Sequence, residues 1–408
     1  NAFQGCYPLT NITLMSQSTI QLSKKCFICA NNLQIASIEG NQIIVEDEVF
    51  KSMKILHSIY FSCDELKIGN SVFGFCSELY SIMLNNVKKA EFGSNVFTDC
   101  TKLSTIRFEA TMSLTVGDNC FSGVNSLQNV SLLSEKLNIG NNCFKNCRNL
   151  SSITFPKAQS IEIGSKAFEG CSKFNTSINI TTFSELTIGD GCFKSLESLK
   201  YLTLASEKIT IGKNAFNECK NLSSIIFNNV LNISIGPGAF SKCMKLDKIF
   251  ISAVSNVTLS DDCFSSASNI QTVLISGEEI NIGSQCFKFC TKLSSVSLTK
   301  GKNVTFGSNL FEGSNLKKLS IPATSKVVLA NYCFHHADRL ESVIINCEDI
   351  DVGERCFNNC KALNSIYIQK VKNATIGPYS FRECGNLTKF TLNAPLNLTI
   401  CANCFRES

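Results

Sequence analysis

Apolar residues recur along this chain in one fixed arrangement. With a phenylalanine taken as position 0, positions +6, +9 and +11 are apolar: Leu79, Ile82 and Leu84 after Phe73, and Leu222, Ile225 and Phe227 after Phe216. The +9/+11 alternation has period two and is rich in β-branched side chains, which predicts a short strand with one buried face. A second alternating pair at −7 and −5, as in Leu137/Ile139, Ile209/Ile211 and Ile280/Ile282, predicts a second strand on the other side of the coil. The marker phenylalanine falls at 18 places from Phe3 to Phe405, at intervals of 23, 24 or, once, 25 residues. A period held this long marks a solenoid. The expected domain is therefore a single solenoid over residues 1–408, with both ends cut within a repeat of a longer protein.

The polar positions between the strands are equally regular. Position −4 is glycine in 12 repeats, from Gly69 to Gly377, which calls for either a positive φ or a close backbone approach. Position −3 holds residues of the helix N-cap type, including Asn70, Asp118, Asn141, Ser165 and Asp261. Pro237 and Pro378 at the same place also suit a helix start. With −1, 0 and +3 apolar on one helical face, one or two helical turns are predicted. The expected coil is strand, turn, short helix, strand, turn, with the phenylalanines stacked in a core ladder. Irregularities at Ser23, at Glu46, near Asn175 to Ser177 and at Leu316 are read as loop adjustments.

The unit IGxxCFxxCxxLxxIxF resembles the BspA-like class of leucine-rich repeat. The likeness is carried by Ile163-Gly164-Ser165-Lys166-Ala167-Phe168 with Cys171, and by Ile211-Gly212-Lys213-Asn214-Ala215-Phe216 with Cys219. The resemblance implies a right-handed α/β superhelix of about 18 repeats with its main parallel sheet concave. It also implies a surface protein of bacteria or anaerobic parasitic protists that binds host or extracellular-matrix proteins. One departure is that −1 is often Cys here, where the class commonly has Ala.

Composition narrows the function. A net charge of +5 from 38 basic and 33 acidic residues, with lysines scattered, indicates neither a nucleic-acid surface nor a membrane surface. No apolar run approaches the ~18 residues of a membrane span. Of 23 cysteines, nine occupy −1 and ten occupy +3. Elsewhere these slots hold Ala167, Val72, Leu310 or Met53, so they are small apolar packing sites. Buried free thiols are the expectation, with some disulfides or a metal as the competing readings. Cys29, Cys63, Cys347 and Cys401 fall off the slots. Cys333, His335, His336 and Asp338 form the one metal-like constellation, but a core slot and solvent-facing +1 and +2 positions diverge. No catalytic, cofactor or metal site is predicted, and the recurrent glycines are structural.

Recognition chemistry lies in what varies. The outward strand positions +8 and +10 mostly hold Ser, Thr or Asn, such as Ser81, Thr105, Ser224 and Ser295. Against that field stand Tyr201, Ile226, Phe250 and Leu274 on consecutive coils, flanked by Lys248, with a smaller set at Ile344 and Tyr367. An exposed apolar stripe of this kind is a candidate protein-binding site; strand propensity alone is the plainer explanation. Twelve N-x-S/T sequons occur, and five share position −8: Asn232, Asn256, Asn303, Asn373 and Asn397, the candidate glycosylation positions. Alternation of Asn and Thr on a solvated strand would produce the same pattern. The predicted function is a non-enzymatic adhesion module, cell-surface or secreted, with a protein ligand and no cofactor, nucleic acid or membrane contact. The alternative is a cytoplasmic interaction scaffold, favoured by abundant thiols that a reducing compartment keeps free.

Overall fold

The computed structural model describes residues 3, 5–27 and 30–408, in two compact units, Asn1–Leu199 and Lys200–Ser408. Each unit is a parallel β-solenoid in which one coil contributes a front strand and a rear strand. In the N-terminal unit the front strands Asn11–Met15, Ile35–Glu39, Ser58–Ser62 and Ser81–Asn85 pair in parallel register. Thr105–Glu109, Asn129–Leu133 and Ser152–Thr154 form a second front ladder. In the C-terminal unit Tyr201–Ala205 pairs with Ser224–Asn228. Seven further front strands run from Lys248–Leu259 to Lys389–Leu392. Rear strands such as Gln42–Val45, Glu65–Ile68 and Lys89–Phe92 pair in the same way.

The repeat length sets this register, because residues one period apart become cross-strand partners. Period-two alternation then turns the apolar set inward: Ile59 and Phe61 in front, and Ile43 and Val45 behind, are at most 1% exposed. Between the two walls the marker phenylalanines stack face to face. Ring centroids lie from 4.7 Å apart for Phe97 and Phe121 to 5.9 Å for Phe287 and Phe311.

The short helices are not formed; among the described residues there is no helix. Positions −2 and +2 of almost every coil adopt the left-handed conformation, as at Asn95 (φ 58°) and Asp99 (φ 57°), or Asn142 (φ 53°) and Asn146 (φ 59°). Left-handed residues four apart cannot belong to one right-handed turn. The alternation instead turns the N–H groups of −2, 0 and +2 toward the next coil. Asn119 donates to the Asn141 carbonyl at 2.9 Å, Phe121 to Cys143 at 2.8 Å and Gly123 to Lys145 at 2.8 Å. The turn segment is thus a third hydrogen-bonded wall around the phenylalanine ladder.

The N-cap-type residues serve that wall rather than a helix. The Asp118 carboxylate accepts the N–H of Asn141 at 2.6 Å, and the Asn141 side chain accepts that of Ser165 at 2.8 Å. The glycines at −4 answer to close approach, not to a positive φ: a Cβ on Gly117 would stand 2.5 Å from the Gly93 carbonyl oxygen.

Candidate functional site

The front face of the C-terminal unit gathers the sequence-predicted recognition residues. Parallel register aligns its outward side chains in two rows. One row reads Lys248, Thr272, Ser295, Lys318, Ser342, Ser365, Lys389, and the other Phe250, Leu274, Ser297, Ser320, Ile344, Tyr367, Thr391. Phe250 and Leu274 are direct cross-strand partners, with Phe250 48% exposed and Leu274 half-buried. Lys248 stands exposed two residues before Phe250.

Ile226, also 48% exposed, lies in the same +10 position on the strand Ser224–Asn228. Tyr201 is exposed but occupies the +8 row: its partner is Ser224, whereas Ile226 faces Thr203. The apolar row is therefore Ile226, Phe250 and Leu274, with Tyr201 in the row beside it.

Beside this row stand two further exposed apolar residues, Leu231 and Val254, that the sequence pattern did not predict. The strand Lys248–Leu259 runs unbroken for 12 residues from front wall to rear wall, so Lys248, Phe250, Ser252, Val254 and Asn256 all face outward. Val254 is 63% exposed. On the preceding coil Leu231, 39% exposed, sits at a register shift between Val230 and Asn232. The signal available was the missing turn: Ser252-Ala253-Val254-Ser255-Asn256 keeps alternating where the next coil has Ser276-Gly277-Glu278-Glu279.

The five candidate glycosylation positions begin or lie within rear strands, but their side chains differ. Asn303 donates its Nδ2 to both Glu279 carboxylate oxygens at 2.8 and 3.1 Å, and Asn373 donates to Asp349 at 2.7 Å. Asn397 donates its Nδ2 to the side-chain Oδ1 of Asn373 at 2.7 Å. Asn232 is half-buried, and Asn256 is exposed.

The described cysteines are free, and those in the two slots are nearly all buried; Cys29 lies outside the described residues. Thiols at +3 have a specific partner, the carbonyl of the phenylalanine one coil earlier: Cys76 donates to Phe50 at 3.1 Å and Cys360 to Phe334 at 3.1 Å. Burial pushes the Cys76 thiol up to about 12. Cys333 is fully buried while His336 is exposed with Nδ1 2.8 Å from the Asn359 amide, so that constellation points apart. Burial, then the neighbouring His336, lowers the His335 pKa. Among the described residues no group of three or more His, Cys, Asp or Glu is placed to hold a metal ion, and no helix is long and apolar enough to cross a membrane.

The family model described as BspA type leucine rich repeat region matches residues 1–104, 90–186, 186–317 and 304–408, in 6 copies. No curated protein matches the chain. Among solved structures, a leucine-rich repeat protein from Bacteroides ovatus ATCC 8483 is 18% identical over 95% of this chain and 80% of its own, with a TM-score of 0.35. A leucine-rich cell surface protein from Faecalibacterium prausnitzii A2-165 is 18% identical over 71% of this chain and 87% of its own, with a TM-score of 0.29. Similarity at this level does not extend to a shared partner.

Proposed function

The chain belongs to the BspA type leucine-rich repeat family, and on that premise we propose that it is a non-enzymatic protein-recognition module, displayed at a cell surface or secreted, that adheres to a host or matrix protein. The binding surface is the front face of the C-terminal unit. One observation carries this reading: Ile226, Phe250 and Val254 stand at least 48% exposed on strands whose inward faces are locked in a packed core. Exposed apolar side chains on a rigid sheet need no ordering to bind, which keeps the entropic cost of association low. Clustered apolar exposure of this kind marks interaction sites.

A reading as an intracellular scaffold is favoured by the free cysteines. The slot thiols, however, are packed where Val, Leu and Ala sit in other coils, so burial protects them in either compartment. The test passes purified matrix and host-surface proteins over the immobilised wild-type chain and over Phe250→Ser, with circular dichroism as the folding control. Capture that Phe250→Ser weakens supports the assignment; capture indifferent to Phe250, or none at all, sinks it.

A further inference from the structure

The two outward rows of the front face differ in chemistry, and the difference names a partner. In the row from Lys248 to Lys389 every third strand carries a lysine: Lys248, Lys318 and Lys389, with only Thr and Ser between. All three are exposed, and none has an ion-pair partner among the described residues. Neither row contains an acid over seven strands. Asp247 and Glu341 are the acids just before the strands Lys248–Leu259 and Ser342–Asn346, and Glu341 is held by Lys317 at 3.8 Å. At ~4.8 Å between strands the three lysines recur about 14 Å apart along the row. Alongside them the second row places Phe250 level with Lys248 and Leu274 one strand further on, and it places Ile344 and Tyr367 in the interval between Lys318 and Lys389.

We infer that this face takes an extended acidic polypeptide laid across the strands, an assignment that rests on the recognition reading above. An extended chain advances ~3.4 Å per residue and turns alternate side chains to one side. Acidic residues at i, i+4 and i+8 therefore recur at about 14 Å on one face and meet Lys248, Lys318 and Lys389. Apolar residues at i+2 and i+6 share that face; at ~7 Å and ~20 Å along the row the first falls beside Leu274 and the second beside Ile344 and Tyr367. The interleaved apolar pairs favour a polypeptide over a sulfated polysaccharide, which offers charge at similar density but no apolar side chains. Unpaired lysines in a row without acids give the electrostatic complementarity that sets register and partner choice.

The probe is a synthetic peptide with Glu at every fourth residue and Val midway between, read by fluorescence anisotropy. Wild type is expected to bind it, with affinity falling as salt rises. Lys248→Gln/Lys318→Gln/Lys389→Gln is expected to bind about tenfold more weakly or worse at unchanged thermal stability. A peptide of identical composition with Glu at every third residue is expected to bind more weakly than the matched one. Equal binding by the triple variant, or indifference to the spacing, overturns the inference. So does heparin binding that the three lysines carry while neither peptide binds. If a captured protein depends on Phe250 but not on the lysines, the acidic partner falls and the recognition reading stands. If no capture depends on Phe250, both fall.

Discussion

The sulfur of Cys147 lies 3.0 Å from the carbonyl oxygen of Phe121, one coil earlier, and the same contact joins Cys171 to Phe144 at 3.1 Å. Both phenylalanine carbonyls also accept an N–H within their own coil, Phe121 from Val124 and Phe144 from Cys147, each at 3.1 Å. The thiol therefore donates to a second lone pair that Val or Ala in the same slot leaves empty. This gives the +3 slot a polar reason for cysteine beyond its size.

Burial holds the Cys147 and Cys76 thiols up at about 12, well above the ordinary value of 9.0. The folded state thus keeps protons that the unfolded chain releases near pH 9, so stability falls as pH rises from about 9 towards 12. Below pH 9 the contribution is fully present. Denaturant titrations at pH 7.5 and 10.5 are expected to show the loss. In the native protein at pH 8 the slot thiols are expected to resist a thiol reagent until denaturant is added. Rapid reaction of most thiols in the folded state would contradict both expectations.

Gly117→Ala places a methyl 2.5 Å from the Gly93 carbonyl oxygen, with backbone rather than a flexible side chain in the way. Forced overpacking of this kind costs about 1–3 kcal/mol. Gly123→Ala, with nothing within 4 Å of its Cβ but a φ of 75°, strains only the local backbone. The midpoint of urea unfolding is expected to fall more for the first than for the second.

Phe144 packs between Phe121 and Phe168, each ring centroid 5.2 Å away. Phe144→Ala opens a cavity in the middle of the ladder and is expected to destabilise by about 3–5 kcal/mol. Unfolding followed by circular dichroism, with limited proteolysis to locate the weakened coil, measures this. An unchanged transition would remove the ladder from the list of stabilising features.

The period, the two strands and the thiol slots were legible because each is written in inward-facing side chains that must be small or apolar. The turn segment was misread because the residues that cap helices and those that tolerate a left-handed φ are largely the same. Asn119 (φ 53°), Asn142 (φ 53°) and Asn214 (φ 54°) all stand at −2, a recurrence that marks a left-handed position rather than a cap. For the site, Phe250 and Leu274 were legible as outward and adjacent. That Tyr201 belongs to the other row follows from its pairing with Ser224. Val254 emerged only because its strand continues through a corner where neighbouring coils turn.

Glycan occupancy separates the five shared sequons. The Nδ2 of Asn303 and of Asn373 is already spent on Glu279 and Asp349, and a glycan there would break the cross-coil hydrogen bond. Asn256 is exposed on the outward face of its strand. In a secretory host, peptide mapping is expected to find Asn256 occupied ahead of Asn303 and Asn373. The reverse order would mean that modification precedes the pairing of the rear strands.

The continuous strand Lys248–Leu259 makes a last, sharper demand on the recognition surface. If the partner follows the exposed apolar side chains, its footprint turns the corner from Phe250 to Val254, four residues along one strand and on the same face. Val254→Asn should then weaken capture in the same direction as Phe250→Ser, by several-fold, although Val254 lies outside the front rows. Tyr201→Ser, in the other row, should matter less despite removing a larger exposed side chain. Both substitutions are at solvent-facing positions, so thermal stability should move by no more than about 0.5 kcal/mol. The ratio of the two affinities is the measurement. A larger loss from Tyr201 would shift the site onto the strands Tyr201–Ala205 and Ser224–Asn228 and away from the corner.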